Sequence, residues 1–74
     1  MQDYLAAIYD LAGSGRPVIG ARLAKHMGIS APAVTEAIQR LARGGHVRVG
    51  RSKEIALTPK GRHIAETMAR RHRL

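Results

Sequence analysis

Gly28-Ile29-Ser30-Ala31-Pro32-Ala33-Val34-Thr35 is the stretch whose reading decides the fold. Glycine lacks the Cβ that penalises the left-handed conformation, so Gly28 suits the C-cap of a helix ending at Met27. Two residues later Ser30 offers a hydroxyl oxygen to the unpaired amides of a new helix. Pro32 falls in its first turn, where no helical donor is lost. The stretch therefore predicts one helix stopping and another starting across the turn Gly28-Ile29.

Upstream, a second helix is expected from about Ile19 to Met27, with Leu23 and Met27 one turn apart. Before it, Leu5, Ile8 and Ala12 recur at helical spacing between Gln2 and Ala12, and Gly13-Ser14-Gly15 ends that first helix. Downstream, Val34, Ile38 and Leu41 place one apolar stripe on the third helix, which Gly44-Gly45 closes. Val47 and Val49, then Ile55 and Leu57, alternate with polar or small residues on either side of Gly50-Arg51-Ser52-Lys53, the pattern of a hairpin with a basic tip. Thr58 caps a last helix with Pro59 at its first position, and Ile64, Ala65, Met68 and His72 share a face. The order helix, helix, helix, strand, strand, helix is mainly α with a small β-hairpin: a winged helix-turn-helix, read as a single DNA-binding domain over residues 1–74.

Composition narrows the function. The chain has 74 residues, no cysteine and only two aromatics, Tyr4 and Tyr9. A domain of this size buries only about 60% of its unfolded surface, and with neither disulfide nor thiolate metal site it rests on aliphatic packing. Base-stacking platforms for single strands are nearly missing. No apolar run approaches the roughly 20 residues that cross a bilayer, and no secretion signal opens the chain, so no membrane partner and a cytoplasmic location are expected. Residues 1–37 are electrically balanced, with Arg16, Arg22 and Lys25 against Asp3, Asp10 and Glu36. Residues 38–74 set ten basic side chains against Glu54 and Glu66, so the whole formal charge of +8 lies there. That asymmetry favours a polyanionic partner.

Two short helices joined by a tight turn let the second enter the major groove of double-stranded DNA. With Val34, Ile38 and Leu41 inward, the outer face carries Thr35, Glu36, Gln39, Arg40 and Arg43. Thr35 and Ala33 can meet a thymine methyl, Gln39 an adenine, Glu36 a cytosine amino group, and the arginines guanine or phosphate. Ser30 and the free amides around it are phosphate donors. The hairpin would carry Arg48, Arg51, Ser52 and Lys53 toward the backbone and minor groove. Arg22 completes the set of DNA-contact candidates. No paired carboxylates, His-Glu-x-x-His helix or phosphate-binding glycine loop is present, and Gly13-Ser14-Gly15 follows a helix rather than opening one, so no catalytic activity is expected.

The sequence resembles the amino-terminal domain of the iron- and manganese-dependent transcriptional repressors, the diphtheria toxin repressor family. The resemblance spans nearly the whole chain. It is carried by Asp3-Tyr4-Leu5 through Ile8-Tyr9, by Gly28 to Thr35, by Leu57-Thr58-Pro59-Lys60-Gly61 and by Arg71-His72-Arg73-Leu74. It implies that Ser30, Pro32 and Glu36 lie at the DNA surface, although the family commonly has glutamine where Glu36 stands. It further implies control by divalent iron or manganese, with Asp3 and His72 matching two ligand positions; a carboxylate and an imidazole suit those ions. Ala6 stands where manganese-type members carry a second acidic ligand. On the residues alone, His72 equally completes the Ile64 and Met68 stripe, and Asp3 is a favourable charge at a helix N-terminus. The remaining ligands and the dimerisation segment that the family uses would follow Leu74. The 74-residue chain by itself is thus expected to be a monomer or weak dimer, with weak, salt-sensitive DNA affinity and no tightly held metal, while the longer protein would be a homodimer. A winged-helix regulator without metal control and a winged-helix protein-docking module are the competing readings.

Overall fold

The computed structural model describes residues 3–71, and the side chains of residues 3–68. Four helices and one hairpin follow in the expected order: α1 (Tyr4–Ala12), α2 (Gly20–Met27), α3 (Ala31–Arg43), β1 (Val47–Val49), β2 (Ile55–Leu57) and α4 (Pro59–Arg71). Helix α1 begins later than its apolar spacing implied. Asp3 has extended backbone and its Oδ1 accepts the Ala6 N–H at 3.1 Å, so the residue is a cap and not part of the first turn. Ala12, assigned to the apolar stripe by spacing, is exposed, and Ala7 is buried instead. Because α1 packs against α4, β2 and α2, its buried arc is centred on Leu5 and Ile8 rather than extending to the last turn.

The junction between α2 and α3 forms as the local chemistry dictates. Gly28 sits in the left-handed region (φ 68°, ψ 35°), and the Ile29 N–H reaches back to the Ala24 carbonyl at 3.0 Å, closing the end of α2. Ser30 then caps α3, its Oγ accepting the Ala33 N–H at 3.3 Å. Ile19, expected as the first residue of α2, is its cap position and makes no side-chain cap bond.

Strands β1 and β2 pair antiparallel with Val47 opposite Leu57, Arg48 opposite Ala56 and Val49 opposite Ile55. Val47 and Ile55 enter the core, whereas Val49, opposite Ile55, is 46% exposed. A bond absent from the sequence reading fixes the hairpin inward: the Ile55 N–H donates to the Val18 carbonyl at 2.7 Å, and Val18 is itself buried. Ile8, Leu23 and Val34, one from each of the first three helices, are the largest fully buried side chains. Ala65 of α4 closes the cluster, and among the described residues no polar or charged residue is buried in it. Apolar packing, worth roughly 1.5–3 kcal/mol for each large aliphatic side chain, orients α3 on the rest.

Candidate nucleic-acid interface

The helix period sets what α3 can show. At about 100° per residue, burying Val34, Ala37 and Ile38 turns Pro32, Glu36, Gln39 and Arg43 to the opposite side. All four are exposed, as are Ser30, Thr35 and Arg40; Ala33 is half-buried. Thr35 Oγ1 donates to the Ala31 carbonyl at 3.1 Å, so its hydroxyl proton is used inside the helix and its methyl remains as the apolar contact. Glu36, Gln39, Arg40 and Arg43 have no side-chain hydrogen bond or ion pair to another described residue. Long charged side chains without internal partners are free to meet a ligand.

The wing tip is a three-residue loop. Gly50 N–H donates to the Glu54 carbonyl at 2.9 Å, and Lys53 N–H donates to the Gly50 carbonyl at 3.0 Å. Lys53 sits at φ 61°, the left-handed position that such loops usually give to glycine, and it alone among the described non-glycine residues has positive φ. Arg48, Arg51, Ser52 and Lys53 are all exposed. Between wing and helix runs a mainly apolar groove of about 440 Å³, lined by Thr35, Gln39 and Ala42 of α3 and by Val49 and Lys53 of the hairpin. Of the predicted contact residues, Thr35, Gln39 and Lys53 line this groove, whereas Glu36, Arg40, Arg43, Arg48, Arg51 and Ser52 are not among its lining.

Arg22 is engaged differently. Its Nη1 donates to the Pro17 carbonyl at 2.8 Å and its Nη2 to Ser14 Oγ at 3.5 Å, tying the loop after α1 to the start of α2. A larger open cleft of about 720 Å³ lies between the end of α1, β2 and α4, but Arg16 and Arg62 share it with Glu54 and Glu66. That mixed charge does not favour a polyanion.

Behind α3 lies a contact that sequence reasoning missed. Thr58 Oγ1 donates to the Gly45 carbonyl at 2.6 Å while accepting the Gly61 N–H at 3.2 Å, and Lys60 Nζ donates to the Gly44 carbonyl at 3.1 Å. The start of α4 therefore clamps the end of α3. Gly61 makes this possible, because a Cβ there would run into the His46 carbonyl oxygen and lie 3.0 Å from its carbon. The signal was present: a glycine three residues inside a helix costs about 1 kcal/mol relative to alanine, so something must need the space.

Asp3 Oδ1 is occupied as the α1 cap, and His72 lies outside the described residues. Among the described residues no group of three or more His, Asp or Glu side chains is placed to hold a metal ion. A single carboxylate does not make a metal centre.

A helix-turn-helix with a basic wing, both facing one groove, defines the winged class of DNA-binding domains. Residues 1–55 match the family described as "Iron dependent repressor, N-terminal DNA binding domain", and the chain belongs to that family. It is 39% identical over 71 residues to the iron-dependent repressor IdeR of Mycobacterium leprae and 37% identical over 71 residues to the diphtheria toxin repressor of Corynebacterium diphtheriae. Each alignment covers 96% of this chain and 31% of the relative, so the chain spans about a third of the length of these relatives. Among solved structures it is similar to the manganese regulator SloR, with TM-score 0.83 and 34% identity over 96% of this chain and 33% of that one. It is also similar to the apo form of the manganese-activated repressor ScaR, with TM-score 0.86 and 28% identity over 97% of this chain and 34% of that one.

Proposed function

We propose that the chain binds double-stranded DNA sequence-specifically, as the DNA-binding domain of a transcriptional repressor controlled by divalent iron or manganese. The carrying observation is that α3 and the wing flank one groove, which Thr35 and Gln39 line from the helix and Lys53 from the hairpin, while Glu36, Arg40 and Arg43 of α3 and Arg48 and Arg51 of the wing are exposed without internal partners. In this reading α3 enters the major groove with Pro32, Ala33, Thr35, Glu36 and Gln39 at base edges, and Arg40 and Arg43 reach guanine or phosphate. Ser30, whose oxygen accepts from Ala33, still has its hydroxyl proton to give to a phosphate. Arg51, Ser52 and Lys53 follow the backbone into the adjacent minor groove, with Arg48 beside them. Arg22 acts as a brace for the loop and contributes charge nearby.

Metal control is assigned to the whole protein, with Asp3 and His72 as partial ligands and the 74-residue chain holding no metal tightly; the names of the iron- and manganese-dependent relatives support it. The whole protein is a cytoplasmic homodimer that sets two copies of α3 on half-sites one helical turn apart, while the chain alone is a monomer or weak dimer. It carries no catalytic chemistry. Among the described residues no helix is long and apolar enough to cross a membrane.

Titration of the isotopically labelled chain with duplex DNA, followed through its amide resonances, tests the reading. Shifts concentrated at residues 30–43 and 48–53 are expected. Shifts concentrated around Arg16 and Arg62, or spread evenly, would contradict it.

A further inference from the structure

The outer face of α3, which runs into the basic half of the sequence, holds one carboxylate. Glu36 occupies the middle of the α3 stripe diametrically opposite the core, between Pro32 and Gln39. An ordinary use for such a residue is an ion pair with Arg40 one turn later, but Glu36 makes no such pair. If α3 enters a major groove, this stripe is its deepest part, so the carboxylate meets base edges, with the phosphates farther out along the flanks. A carboxylate only accepts hydrogen bonds, and the four bases do not treat it alike. Guanine presents two acceptors and thymine an acceptor beside a methyl group. The adenine amino group lies between its own N7 and the partner thymine O4, both acceptors. The cytosine amino group stands at the end of its base pair's pattern, with an acceptor on one side only. Cytosine is the base that a carboxylate tolerates best at that depth.

We propose that Glu36 is a specificity-determining residue that accepts a hydrogen bond from the N4 amino group of one cytosine in each half-site. The proposal rests on the DNA-binding reading above. Arg40, not neutralised by Glu36, stays available to a phosphate on the flank, so the helix keeps its affinity while one acidic side chain selects a base. Glutamine at the same position, with both a donor and an acceptor, would pair with adenine N6 and N7 instead.

Selection of duplexes from a randomised pool by the 74-residue chain and by Glu36→Gln, with thermal melts of both, tests this. The wild-type chain is expected to select a site with one fixed cytosine, and Glu36→Gln to select adenine there with unchanged melting. Replacing that cytosine by thymine is expected to weaken wild-type binding on the order of tenfold to a hundredfold and to leave Glu36→Gln nearly indifferent. If both proteins select the same base at every position, or Glu36→Gln merely tightens binding to all duplexes alike, the assignment is overturned while DNA binding stands. If the wild-type chain selects no duplex over heparin, both fall.

Discussion

Two turns bracket strand β1, and they are built on opposite terms. At Gly44-Gly45-His46 the left-handed residue is a glycine (Gly45, φ 77°), and the carbonyls of Gly44 and Gly45 are taken by Lys60 and Thr58. At Gly50–Glu54 the left-handed residue is Lys53, and the exposed side chains of Arg51, Ser52 and Lys53 have no partner among the described residues. The first turn puts glycine where the left-handed conformation is cheapest and bonds its Gly44 and Gly45 carbonyls internally, although His46 Nδ1 is buried there without a partner. The second accepts a strained lysine, costing about 1–2 kcal/mol relative to an unstrained residue, and leaves its charges open. The contrast separates what holds α3 in place from what the domain presents to a partner.

Substitutions at the two turns should therefore act on different observables. The largest effect is expected from Gly61→Ala, which forces a Cβ into the His46 backbone: a loss of about 2–3 kcal/mol in chemical denaturation, since backbone has nowhere to retreat. Thr58→Ala removes the α4 cap and the Gly45 bond together and should cost about 1–2 kcal/mol by the same measurement. Lys53→Gly relieves the left-handed strain, partly offset by a floppier unfolded chain, and should raise stability by about 0.5–1 kcal/mol while weakening duplex binding. A stabilised variant with unimpaired DNA binding would remove Lys53 from the interface. Smallest in stability are Arg40→Ala and Arg51→Ala, each expected within about 0.5 kcal/mol of wild type in the same denaturation.

The comparison also marks how far the sequence could be read. Features written in adjacent residues were legible: Gly28 as a left-handed cap, Ser30 as the α3 cap, Pro32 in the first turn, the basic wing tip and the outer face of α3. Features that join distant residues were not. The Val18 carbonyl meets Ile55, and His46 meets Gly61, only because the chain folds back, and no local spacing encodes either contact. Val49 alternates like a core strand residue and stands opposite buried Ile55, yet it lines the open groove beside α3 and stays 46% exposed. Arg22 read as a DNA-contact candidate, and its bonds to Pro17 and Ser14 were not legible because those partners lie across a loop. Asp3 was legible as a helix-end charge, and its capping bond is the one role the described residues give it.

The central claim is that α3 and the wing act together on duplex DNA, and fluorescence anisotropy across a salt series tests it most directly. Duplex, single-stranded DNA and heparin would be compared for the wild-type chain, Arg40→Ala and Arg51→Ala. The account predicts preference for duplex, with the slope of log affinity against log salt reduced by about 1 for each substitution. Equal weak binding to all three polyanions, with slopes that neither substitution changes, would contradict it.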